Sequence, residues 1–148
     1  EAGLAHWHDP ATWGGAVPAA RADVTLPAGA RVLVSSCSLR PEAYGRVTVP
    51  EGAALVFADA HVHLHAASVE VQGELLIGAP TCRIRTSATV TLHGTRGDGG
   101  SKGIDIIGSG KAELFGEVFA PSWARLAATA ARGDSHVLLQ HCVSWQVG

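Results

Sequence analysis

Apolar and polar residues alternate in short bursts, each set beside a glycine. The bursts are Leu26-Pro-Ala-Gly-Ala-Arg-Val-Leu-Val34, Val49-Pro-Glu-Gly-Ala-Ala-Leu-Val-Phe57, Val69-Glu-Val-Gln-Gly-Glu-Leu-Leu-Ile77, Val90-Thr-Leu-His-Gly94 and Ala112-Glu-Leu-Phe-Gly116. Alternation with period two marks strands that bury one face, and runs this short read as strands rather than helices. The glycines recur as well: Gly29, Gly52, Gly73, Gly94 and Gly116 stand 23, 21, 21 and 22 residues apart. A near-constant step of that size belongs to stacked repeats, in which no single turn of chain can bury its apolar face alone. The pattern therefore predicts an all-β chain, a short right-handed parallel β-helix of about five coils, with Val32, Leu55, Leu75 and Leu92 lining its interior. Regular strand spacing also suits a sandwich or a closed barrel, and leucine-rich repeats share the period without a matching motif here.

Two stretches break the repeat. Thr95 to Gly110 is rich in glycine and carries Asp98, Ser101 and Lys102, which reads as a loop inserted at one corner. Residues 122–131 place Trp123, Leu126, Ala127 and Ala130 on one helical face behind Ser122 as N-cap, yet they also alternate like a strand. One short helix near the C-terminus and an extended segment both remain open. Gly133-Asp134 then turns into a last strand from Val137 to Val143.

Composition narrows the class. With 148 residues and 15.2 kDa the chain has the size of one domain, residues 1–148. It is 47% hydrophobic and 16% charged with 18 Gly and 7 Pro, too apolar for disorder and too punctuated for a helical bundle. A net charge of -2 gives no field for nucleic acid. Apolar runs such as Ala53 to Ala58 are far shorter than the ~20 residues of a membrane helix, so no membrane insertion is expected. Glu1 opens the chain with no basic-then-apolar leader, so a targeting signal is expected to have been removed or never to have belonged to it. No asparagine is present, hence no N-glycosylation sequon.

Several constellations carry chemistry. His61-Val-His63-Leu-His65 sets three imidazoles on one face of a strand at intervals of about 6.5 Å; His61 and His63 are weak candidates for a metal, and the prevailing expectation is a solvated face holding none. Stacking Leu64 inward beside Ile84 sets His63 and His65 beside Arg83 and Arg85. That strip would suit a carboxylate-bearing polysaccharide through bidentate hydrogen bonds, whereas the plainer alternative pairs Arg83 and Arg85 with Glu70 and Glu74. Asp98 and Asp105 with Glu113 or Glu117 are the carboxylates available for glycoside hydrolysis, but nothing gathers them in one cleft, and no catalytic residue is assigned. Gly97 to Lys102 lacks the spacing of a phosphate-binding loop. A Cys37 to Cys82 disulfide is expected if the Cys37 loop folds across, and Cys142 on its apolar strand is expected to be a core thiol. Trp7, Trp13, Trp123 and Trp145 gather toward the chain ends, where they either cap the stack or offer rings to a sugar.

The sequence resembles the eight-glycine (G8) domain over nearly its whole length. The resemblance rests on Trp13-Gly-Gly-x-x-Pro18, Gly73-Glu-Leu-Leu-Ile-Gly78, Pro80-Thr-Cys-Arg83, Thr91-Leu-His-Gly94, Gly110-Lys-Ala-Glu-Leu-Phe-Gly116, Ser122-Trp-x-x-Leu126 and Trp145-x-Val-Gly148. Gly29, Gly52, Gly73, Gly78, Gly94, Gly108, Gly110 and Gly116 fit the eight glycines of its name. Such domains occur in secreted and cell-surface hyaluronidases and in fibrocystin-type receptors, where further β-helix coils follow. The resemblance implies an extracellular or cell-surface, non-catalytic domain that serves structure and binds an acidic polysaccharide such as hyaluronan through Arg83, Arg85, His63 and His65, without a cofactor. The alternatives are the N-terminal part of a hyaluronidase-type enzyme and an architectural module whose open coil edge packs on further coils or on another chain.

Overall fold

The computed structural model describes residues 3–36, 38–93, 102–118 and 120–145. The chain divides into two compact units, Glu1–Gly116 and Glu117–Gly148. The first is built from short strands: β1 Leu4–His6, β2 Val24–Thr25, β3 Arg31–Val34, β4 Tyr44–Val49, β5 Ala54–Phe57, β6 Val62–Val71, β7 Glu74–Ile77, β8 Ala88–Leu92, β9 Ile104–Ile106 and β10 Lys111–Leu114. A single 3-10 turn at Pro10–Trp13, capped by the Asp9 carboxylate, is the one helical element among the described residues. The chain is all-β, and no helix is long and apolar enough to cross a membrane.

The strands form two sheets, one in the order β1-β3-β5-β7-β10 and the other in the order β2-β4-β6-β8, with β9 also on β6. Up to β7 the chain visits the two sheets alternately, and every strand pair is parallel. Each step back to the same sheet therefore stacks like on like. Val32, Leu55 and Leu75 are register neighbours and all are buried. Val47, Val69 and Ile104 make the corresponding column of the second sheet.

The repeat departs from its sequence reading at its third step. Arg31 to Ala54 spans 23 residues and Ala54 to Glu74 spans 20, but Glu74 pairs next with Lys111, 37 residues on. The reason lies in β6, ten residues long: its first half pairs with β8, through Val62 to Ala66, and its second half with β9, through Val69 to Val71. Two strands thus share one side of β6, and the chain between them lengthens the step. Gly110, rather than Gly94 or Gly116, precedes the strand that follows β7 in the first sheet. Leu92 accordingly joins the second sheet opposite Ala66 instead of extending the Leu75 column.

Close backbone stacking explains two of the glycines. A Cβ on Gly73 would collide with the carbonyl oxygens of Ala53 and Pro50, and one on Gly110 with that of Val71. At the other end of the stack, Trp7 is 0% exposed and packs edge-on against Trp13 and Tyr44, at centroid distances of 5.0 and 5.3 Å. Its indole N–H donates to the Tyr44 hydroxyl at 3.2 Å, while Trp13 donates to the Trp7 carbonyl at 2.7 Å. Both rings bury large apolar area with their polar atoms satisfied.

In the second unit, residues 122–131 form no helix. They run extended: Leu126 bridges Leu139 antiparallel, Ala127 N–H donates to Leu138 and Gln140 N–H to Arg125. Trp123 and Leu126 stay exposed, so a helix there would have no apolar surface to bury its face against, and short helices depend on such packing. The expected strand from Val137 to Val143 is reduced to this one bridge.

Candidate functional site

The solvent face of β6 and β8 carries the histidines. Val62, Leu64 and Ala66 of β6 point into the core, so His61, His63 and His65 must point out. The partner strand is in register, with His63 opposite Thr89 and His65 opposite Thr91. His61 Nδ1 lies 2.9 Å from Oγ of Ser87 directly opposite, while the next two reach diagonally, His63 Nε2 to 2.7 Å from Thr91 Oγ1 and His65 Nδ1 to 2.9 Å from His93 Nε2. The rings of His63 and His65 lie 3.8 Å apart, tilted by 31°, and those of His65 and His93 stack at 5.2 Å. The result is a ladder of imidazoles and hydroxyls along a flat sheet. Burial, and then the neighbouring charges of His63 and His93, hold the His65 pKa below its ordinary value. Among the described residues no group of three or more His, Cys, Asp or Glu is arranged to hold a metal ion, and His61 and His63 each turn to a hydroxyl instead of to one another.

Arg83 and Arg85 lie off this ladder, in the connection between β7 and β8. Leu64 pairs with Val90, not with Ile84, which bridges Gly116. The cause is a corner staple: the Asp59 carboxylate accepts from the backbone N–H of Arg85 and Thr86 at 2.9 and 3.1 Å and from the Thr86 hydroxyl at 2.9 Å. These bonds turn the chain before β8, so the arginines precede the strand rather than enter it. The Arg85 N–H bond, followed by those from Thr86, also lowers the Asp59 pKa. Arg83 donates to the Gly116 carbonyl at 3.1 Å and stands 5.8 Å over the Phe115 ring. The expected pairing of these arginines with Glu70 and Glu74 does not form. Glu70 pairs with Arg46 of the adjacent strand at 3.7 Å, and Glu74 with Arg31, two strands away, at 3.5 Å.

The remaining expected groups are scattered. Asp105 lies on β9 opposite Glu70, whereas Glu113 lies on β10 of the other sheet, bound to Lys111 at 2.8 Å. Asp98 and Cys37 fall outside the described residues. Cys82, the other half of the expected bridge, is an exposed free thiol. Cys142 is exposed too, which corrects its reading as a core thiol: its segment carries one β-bridge, at Leu139, and forms no sheet strand.

A second arrangement lies within the unit 117–148. The bond from Gln140 N–H to Arg125 draws two extended segments together around a cavity of about 440 Å³ lined by Pro121, Trp123, Ala124, Arg125, Gln140 and His141. Trp123 is 68% exposed, so its ring is offered to solvent. Arg125 forms no ion pair among the described residues.

Residues 12–127 match the G8 domain family. The chain belongs to it. Among curated proteins the G8 domain is 36% identical over 98% of its length to a G8 domain-containing protein of Dictyostelium discoideum, of which it covers 11%. Protein rliB of the same organism is 36% identical over 98% of the chain, 14% of its own length. Human fibrocystin-L is 27% identical over 96% of the chain, 3% of its own length. The chain thus spans a small part of each relative it matches. No solved structure is significantly similar to it.

Two features of the G8 domain escaped the sequence. His93 joins His65 across 28 residues, a contact that only the β6 to β8 register creates. The Trp123 cavity needs Gln140 and His141, brought in by a bridge that alternation alone does not reveal.

Proposed function

We propose that this G8 domain is a non-catalytic, extracellular or cell-surface module that recognises an acidic polysaccharide of the hyaluronan kind and contributes a stretch of right-handed parallel β-helix to a longer protein. The cavity at Trp123 carries the recognition reading. An exposed indole stacks on the C–H face of a sugar ring, a guanidinium takes a carboxylate in bidentate fashion, and an amide and an imidazole bond hydroxyls. Trp123, Arg125, Gln140 and His141 supply that set around one opening. Arg83 and Arg85, neither in an ion pair among the described residues, and the outward His63 and His65 are proposed as separate polysaccharide contacts on the first unit.

The β-helix reading is supported by strands that alternate between two parallel sheets with steps of 20 to 23 residues over the first turns. The interior columns end on apolar residues left open to solvent, Ile104, Ile106 and Leu114, the last 65% exposed. Further parallel coils or a strand of another chain are the proposed cover for that end. The extracellular placement rests on the family, which includes secreted and cell-surface proteins.

Binding and polymer length, followed together with high-molecular-weight hyaluronan at two salt concentrations, test the reading. Binding that weakens with salt, leaves the polymer intact and falls about tenfold, or roughly 1.4 kcal/mol, in Trp123→Ala and in Arg125→Ala supports it. Loss of affinity in Arg83→Ala combined with Arg85→Ala would extend the contact to the first unit. Shortening of the polymer would favour the hyaluronidase reading instead, and absence of binding would leave the architectural one.

A further inference from the structure

The His65 and His93 pair is held in place from the backbone outward. His65 sits mid-ladder in β6, opposite Thr91, and His93 continues the β8 ladder through its N–H to the Ala66 carbonyl at 2.8 Å. Both Cβ positions are therefore fixed by sheet hydrogen bonds, and only the ring torsions are free to adjust. The facing nitrogens, His65 Nδ1 and His93 Nε2, are 2.9 Å apart. A contact between two ring nitrogens needs at least one lone pair, so the pair always presents an unprotonated nitrogen while it is formed.

We propose that His65 and His93 form a two-imidazole site for a divalent transition metal, copper(II) first among them. The donor set favours the ion. Metal to imidazole bonds of about 2.0–2.1 Å across a gap of this size subtend an angle of about 90°, near the cis angle of square-planar or octahedral coordination. Imidazole with tetragonal geometry is the preference of copper(II) and then nickel(II), and the order of divalent affinities places copper above both nickel and zinc. Binding moves the proton shared by the facing nitrogens to the far nitrogen of its own ring by way of solvent, and a turn of the two rings about their last torsion then aims both lone pairs at one point on the solvent side, where water completes the coordination shell. His63, its ring tilted 31° against that of His65 at 3.8 Å and bonded to the Thr91 hydroxyl, backs the ring without entering the shell. This proposal shares His65 with the polysaccharide reading but does not rest on it, since the main site of that reading lies at Trp123 in the other unit.

Titration of the 148-residue chain with copper(II) sulfate, followed by calorimetry and by electron paramagnetic resonance, tests it. One tight site per chain is expected, with hyperfine splitting from two imidazole nitrogens. His65→Ala and His93→Ala should each weaken it more than about tenfold, while His61→Ala leaves it unchanged. Circular dichroism of each variant checks the fold, and because both side chains face solvent the strands should survive. The proposal is overturned if no tight site exists, if the site persists in both single variants, or if it is lost in His6→Ala with His8→Ala instead.

Discussion

At the level of single residues, the carboxylates at corners act as staples between successive levels of the stack. Asp23 accepts from Arg46 N–H at 2.7 Å, and Asp59 repeats the device with Arg85 and Thr86. Because these bonds favour the ionised form, the Asp59 pKa is lower in the folded protein than in the unfolded one. Its contribution to stability is then complete above the unfolded pKa and disappears as pH falls through the folded value. Asp59→Asn should lower the melting temperature at pH 7, with the difference from wild type closing at acidic pH; an equal difference at pH 7 and pH 3 would show that charge plays no part. Gly73→Ala tests stacking, since the added methyl meets the Ala53 and Pro50 carbonyl oxygens, backbone atoms that cannot swing aside. A loss of about 1–3 kcal/mol in urea denaturation is expected.

Strands β3, β5 and β7 were legible in the sequence because each follows its own glycine turn and buries its second residue. Val32, Leu55 and Leu75 stack as the spacing implied. Leu55, buried between register partners on both sides, should cost about 2–5 kcal/mol on replacement by alanine, measured by the same denaturation. The later strands were hidden by a coincidence: Gly94 and Gly116 continue the numerical step, yet the true next level begins after Gly110. Spacing cannot report that one long strand takes two partners. The same limit misplaced Arg83 and Arg85. Period two assigned them correctly to one side of a short run, but the Asp59 staple, 26 residues away in sequence from Arg85, decides where the strand starts. The histidine face was read correctly as outward because it needs only the buried Val62 and Leu64 between, whereas the partner of His65 depends on register.

At the scale of the whole molecule, the two ends of the strand stack differ in kind. One is sealed by Trp7, Trp13 and Tyr44, and the other presents Ile104, Ile106 and Leu114 to solvent. Replacement of Ile104 and Ile106 by serine should leave the sealed end folded while reducing concentration-dependent association, read by light scattering; unchanged association would locate the sticky surface elsewhere. The double occupancy of β6 has a consequence of another sort. The chain leaves this strand at His93, whose N–H binds the Ala66 carbonyl, and rejoins it at Gly103, whose carbonyl binds the Val69 N–H. Both moorings lie within three residues of each other on β6, so the length of chain between them is decoupled from the level spacing that governs every other turn. Extra sequence between these two moorings, whether gained in evolution or grafted by design, therefore leaves the register of the described strands unshifted.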